Sequence, residues 1–187
     1  MMSPRFDPSY ALEFDLGRGQ IRMASAGERV VIPSDALLAL CEAASEDAVR
    51  DFGRRLGTEA GRALLGRLGD AGQSSMEAVV EHLGGELALM GLGSLGLERW
   101  GSALVLSFSH SPLAGAGDLL LGSVLEGATQ RAFGRDVVAT KLVRDADHVR
   151  FLITGREGAD KALSWLSSGV AWGDVLTRLA SATRGVS

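Results

Sequence analysis

The side chains best equipped for chemistry are few and scattered. Histidine occurs three times, at His82, His110 and His148, and cysteine once, at Cys41. Zinc peptidases set two histidines four residues apart on one helix, so that both imidazoles reach one ion. His82 follows Glu81 in a helical stretch and has no such companion, His110 closes a strand-like run, and His148 opens one beside Asp145 and Asp147. The three read as surface or hairpin-end histidines. A single cysteine excludes an internal disulfide and a zinc–thiolate cluster. Cys41 shares an apolar helix face with Leu37 and Leu40, where a thiol packs as a small hydrophobe. Ser107, Ser109 and Ser111 flank His110, but the Gly-x-Ser-x-Gly elbow is missing. GLGSLG at residues 91–96 has the look of a phosphate loop, yet it follows a helix and lacks the lysine; a helix stop entering a hairpin explains it better. Glu86 and Glu126 are the carboxylates to consider for acid–base work, and nothing in the sequence sets their separation.

These residues must be held by the elements around them. Residues 10–33 alternate apolar and polar in short runs about the Gly17-Arg18-Gly19 turn and read as strands. Pro33-Ser34-Asp35 ends them and supplies capping oxygens. Residues 36–68 are helical, as one bent helix or as two, since Glu46-Asp47 can restart the pattern. Within them Gly53, Gly57 and Gly61 stand four apart, a smooth groove where another helix can approach. The linker 70–75 brings Ser74 or Ser75 to cap a third helix running from Met76 to about Met90. LVLSFS alternates strongly, and with residues 95–100 it makes a hairpin around Gly101-Ser102.

Residues 119–133 form a fourth helix that keeps two glycines, Gly122 and Gly127. Each costs about 1 kcal/mol relative to alanine, so each marks a place where something packs against the backbone. VVATKLV and HVRFLIT follow as a second hairpin, and residues 160–166 and 170–179 as a helical segment broken near Gly169. Trp100, Trp165 and Trp172 each sit near the end of an element, which suits an interface.

The chain has 187 residues and a formal net charge of −4, ordinary for one domain with a real core. No basic stripe with interleaved aromatics indicates nucleic acid; Arg54, Arg55, Arg62 and Arg67 read as a solvated helix face. No run approaches the roughly twenty apolar residues of a transmembrane helix. The lone thiol and the acids and prolines of the N-terminus lead us to expect a cytoplasmic protein.

Several blocks in order resemble one superfamily: FGRRLGTEAGRALLGRL at 52–68, ELALMGLGSLGLERW at 86–100, and LLLGSVLEGATQ at 119–130 with the paired strands after it. The chain resembles the small subunits of TRAPP vesicle-tethering complexes and the related 4-vinyl reductase-type ligand-binding domains, as a bacterial member. The resemblance implies an α/β (α+β) fold, a helical layer on a small antiparallel sheet, with dimers formed through the helices and an apolar pocket between helices and sheet for an acyl chain or small aromatic ligand. The cysteine that acylated relatives carry after the first block is absent here, as are the zinc-binding cysteines of aromatic-sensing relatives.

The expectation is therefore a single domain over 1–187, with N-terminal strands at 10–33, a core at 35–154 and a helical segment at 158–182. Its function reads first as a non-enzymatic protein-interaction module, a homodimer or a heterodimer with a related subunit, without cofactor or metal. The alternative is a sensor for a small hydrophobic effector, which ordinarily adjoins an output domain; a vinyl-reductase-type enzyme comes last. Trp100, Phe108 and Phe151 are the expected ligand lining, and Gly53, Gly57 and Gly61 the expected interface.

Overall fold

Two serines begin the helical layer. The Ser45 hydroxyl accepts the Ala48 N–H and that of Ser75 accepts the Ala78 N–H, each satisfying one of the donors that a helix start leaves open. They cap α2 (Glu46–Leu68) and α3 (Met76–Leu89). The computed structural model describes residues 6–8, 12–23, 27–69, 71–101 and 103–184. Within these, β1 (Leu12–Asp15), β2 (Gln20–Met23) and β3 (Gly27–Arg29) form an antiparallel meander, followed by α1 (Ser34–Ala43). Ala44 is extended between α1 and α2, so the 36–68 stretch is two helices. At α1 the Asp35 carboxylate accepts only the adjacent Ala36 N–H. The expected strand start at Tyr10, the linker start at Asp70 and the hairpin residue Ser102 lie outside the described residues.

The second sheet is built from two hairpins, β4 (Ser94–Trp100) with β5 (Ala103–Ser109) and β6 (Val138–Arg144) with β7 (His148–Thr154). Helix α4 (Gly117–Phe133) joins them, and the strand order is β4-β5-β7-β6, antiparallel throughout. Gly91 and Gly93, both at positive φ, turn the chain from α3 into β4; a Cβ at Gly93 would lie 2.7 Å from the Ser109 carbonyl oxygen. GLGSLG is thus a helix stop leading into a strand.

Side chains of β5 and β7 alternate between two cores. Leu106, Phe108, Val149, Phe151 and Ile153 pack with α2, α3 and α4. Val105 and Leu152 pack with Leu142 against Ala162, Val175 and Leu176 of α5 (Arg156–Ser167) and α6 (Trp172–Arg184). The period of two therefore serves both faces: the sheet carries the main helical layer on one and a helical hairpin on the other.

Glycines let the layer close. A Cβ at Gly57 would meet the Val124 carbonyl oxygen and stand 2.7 Å from Ala128 N, and one at Gly127 would lie 2.8 Å from the Arg54 Cα. Gly53 and Gly61 face Leu120, Ser123, Ala128 and Arg131 in the same way. The helix that approaches the Gly53–Gly57–Gly61 groove is α4 of the same chain. That corrects the expected interface: the face is filled within the fold and offers no surface to a second chain. Gly122, on the sheet side of α4, brings its backbone against Phe151 and the Ala139 carbonyl.

Candidate functional site

Phe108 and Phe151, expected as ligand lining, meet edge to face with ring centroids 6.4 Å apart, both fully buried between sheet and helices; of the two, only Phe151 reaches the cleft described below. Trp100 does not join them. It ends β4, is 43% exposed, and meets Trp172 of α6 edge to face at 5.1 Å. Arg150, held by Glu98 and Asp145, has its guanidinium 5.7 Å from the Trp172 ring. This tryptophan pair belongs to the far face of the sheet, so Trp100 leaves the expected lining.

His82 is the residue that the sequence misplaced. It is 3% exposed, not a surface group, and neither ring nitrogen has a hydrogen-bond partner among the described residues. Its surroundings form a slot for a flat ring. His82, Gly85 and Glu86 share one face of α3 at helical spacing. Phe6 lies edge-on to the imidazole at 6.3 Å and fills the place of a Gly85 side chain, 2.5 Å from where the Cβ would stand. The Arg67 guanidinium sits 4.6 Å from the Phe6 centroid, and its Nε donates to the wholly buried Glu86 at 2.8 Å. Glycine, imidazole, guanidinium and carboxylate thus frame an aromatic ring, with the imidazole left unsatisfied. Arg67 and Arg54 are also not merely a solvated face, since each holds a buried carboxylate. His110 and His148 do lie at strand ends, away from the interior.

Glu86 and Glu126 are not a catalytic pair. Each has its own arginine: Arg67 for Glu86, and Arg54, at 3.1 Å from Nε, for Glu126. The second oxygen of Glu126 accepts the Ala139 N–H at 3.1 Å, tying α4 to the outer strand β6. Two turns earlier on α4, buried Asp118 takes Lys141 at 3.2 Å and Arg144 Nε at 2.8 Å, and Arg144 also donates to the Leu113 carbonyl. No local signal marks Asp118, because both its partners come from the later hairpin.

Between these two ties lies a cleft of about 680 Å³. Its floor is Leu119, Gly122, Ser123 and the two carboxylates of α4, one wall is Cys41–Arg50 at the α1–α2 corner, and the other is Val138–Lys141 of β6 with Leu163 of α5. An edge of Phe151 shows in it. Burial, with Glu42 second, holds the Cys41 thiol above its ordinary range, so it is poorly ionised and unreactive there. Among the described residues no three histidine, cysteine or acidic side chains converge as a metal site, and no helix is long and apolar enough to cross a membrane.

No protein-family model matches the chain, and no curated protein matches it. A solved structure does. The chain is similar to the crystal structure of the phenol-responsive sensory domain of the transcription activator PoxR with phenol, at 13% identity and a TM-score of 0.57. The match spans 91% of this chain and 92% of that one. At this identity the likeness speaks to the fold, an antiparallel sheet with helices, and it extends beyond the 35–154 core to which the sequence resemblance was confined.

Proposed function

We propose that the chain is a sensor domain for a small hydrophobic effector bearing one hydroxyl, and that His82 is the polar anchor. The observation that carries this reading is the buried imidazole, which has no partner among the described residues. Buried polar atoms almost always find a hydrogen bond, and an exception calls for an explanation. An imidazole nitrogen and a hydroxyl complement one another as donor and acceptor, and the slot around His82 already accepts an aromatic ring, that of Phe6. The fold likeness to a phenol-responsive domain supports the same class of ligand. Phe6 fills the slot in this structure, so a ligand ring would take its place on α3 beside Gly85 and the Arg67–Glu86 pair, where burial favours it. The affiliation with the 4-vinyl reductase-type superfamily and a cytoplasmic location are part of the proposal, as is the lack of an enzymatic role.

The test compares phenol with toluene, which matches it in shape and lacks the hydroxyl. Phenol should raise the melting temperature and bind by calorimetry with at least about tenfold preference over toluene, the equivalent of one hydrogen bond of roughly 1.4 kcal/mol. His82→Phe should erase that preference while leaving the fold intact by circular dichroism. Equal binding of phenol and toluene to the wild type, or no binding of either, refutes the proposal.

A homodimer is the second element of the reading. Phe14, Leu16, Val30, Val31 and Ile32 are all exposed, Leu16 by 86%, and they cluster on the short N-terminal meander and the segment leaving it. Neighbouring exposed apolar side chains suit a contact surface, and a second copy, or a related subunit, covering them would stabilise the sheet. Sedimentation at tens of micromolar should show a dimer; a monomer counts against it.

A further inference from the structure

The cleft between the α1–α2 corner, α4 and β6 shares no residue with the His82 slot and needs its own account. Apart from Glu42, which is exposed at the α1–α2 corner, its charges are already matched. Asp118 faces Lys141 and Arg144, Glu126 faces Arg54 and the Ala139 N–H, and Glu46 faces Arg50 at 3.6 Å. A ligand carrying its charge between these pairs, away from Glu42, would have to break one of them or bring an uncompensated charge into a half-enclosed space, and both are costly. Between the pairs the lining is apolar, from Leu119, the Phe151 edge, Ala139 and Val138 to Leu163. A volume of about 680 Å³ lies within the range of pockets that bind small molecules.

One buried polar group in the lining is unused. Thr140 is 97% buried (3% exposed), and its hydroxyl has no partner among the described residues. It pairs in register with Leu152, on the side of β6 toward α5, where the cleft rounds the strand edge to Leu163. Edge strands are commonly guarded by charge or by a covering element. Here Glu126 caps one N–H of β6, and the stretch beyond it is left to the cleft.

We propose that this cleft is a second binding site, for an uncharged molecule with an apolar body and a single hydroxyl, which pairs with Thr140. The site is independent of the His82 reading and survives its failure.

The experiment titrates the full chain with 1-octanol, octanoate and octylammonium, following backbone amides by NMR. Octanol should shift the amides of Leu119, Gly122, Ala139 and Thr140, with affinity at least tenfold above that of either charged analogue. Thr140→Val, which keeps the shape and removes the hydroxyl, should weaken octanol about tenfold, the worth of one hydrogen bond. Leu119→Trp, which fills the cleft from a half-buried position, should abolish the shifts, and His82→Phe should leave them unchanged. The proposal is overturned if either charged analogue binds as well as octanol, if the shifts fall on α3 around His82, if Thr140→Val binds octanol as the wild type does, or if no saturable shift is seen.

Discussion

Replacing Gly57 by alanine isolates the contact that closes the helical layer. The substitution adds one methyl group, and in an open helix it would be favourable by about 1 kcal/mol. Here the new Cβ meets backbone: the Val124 carbonyl oxygen, Val124 C at 2.9 Å and Ala128 N at 2.7 Å. None of these atoms can rotate away, so α4 itself must move, against a sheet that holds it through Gly122 and the Glu126–Ala139 bond. Overpacking of this kind costs about 1–3 kcal/mol and occasionally more. With the helical gain set against it, we expect a net loss of up to about 2 kcal/mol, more if the clash exceeds that range, which at 2–4 °C per kcal/mol for a domain of this size is a fall of up to roughly 8 °C. The control lies on the same helix. A Cβ at Gly66 would meet nothing within 4 Å, so Gly66→Ala should gain about 0.4–1 kcal/mol. Paired thermal and urea melts of the two variants measure the difference. If Gly57→Ala proves as stabilising as Gly66→Ala, the close approach of α2 to α4 is wrong.

The other predictions concern single side chains. Arg67→Met leaves the wholly buried Glu86 without its guanidinium, and urea unfolding should show a loss of about 3–5 kcal/mol, the usual result of breaking a buried pair from one side; Arg62→Met, whose partner Glu59 sits at the surface, should change stability by less than about 1 kcal/mol. The hydrogen bond from Arg150, with the N–H groups of His148 and Asp147, holds Asp145 down at about 2 from an ordinary 3.8. A depressed carboxylate contributes stability above its unfolded value and loses it as pH falls through its folded one, so the wild type should lose ground to Asp145→Asn between about pH 4 and pH 2 in acid unfolding; parallel curves would remove the linkage. Cys41 should react slowly with a thiol reagent at pH 8 in the native protein and quickly in urea, because burial raises its pKa; equal rates would place the thiol at the surface.

Much of the fold is written in local pattern. The hairpins show as strict alternation, Ser75 as one of two candidate caps, and the retained Gly122 and Gly127 as points of close approach, because each of these signals is set by the geometry of its own element. What escaped is whatever depends on a partner distant in sequence. The spacing of Gly53, Gly57 and Gly61 shows that a helix approaches but not which one, and α4 of the same chain satisfies it. Asp118 looks like an ordinary first-turn acid until Lys141 and Arg144 arrive from the second hairpin. The amphipathic faces of α5 and α6 announce burial, but not that they close the second face of the sheet. Alternation puts Phe108 and Phe151 on the buried face of their strands, where they meet; the end of a strand does not fix which neighbour a ring such as that of Trp100 will meet. His82 was misread for the same reason: on α3 it follows a charged residue, and what covers it, Phe6, comes from the far end of the chain.

On the proposed reading, the unsatisfied imidazole links stability to ligand binding. A buried polar group without a partner costs about 1–3 kcal/mol relative to one that is paired, a large share of the 5–15 kcal/mol by which a domain is ordinarily stable. The same free energy is available to any molecule that supplies the missing hydrogen bond, which adds it to the gain from burying its apolar body. An apolar residue at position 82 would recover the cost without a ligand and forfeit the response. On the proposed reading, a buried histidine beside a glycine whose side-chain place Phe6 fills is a site whose stability a ligand completes.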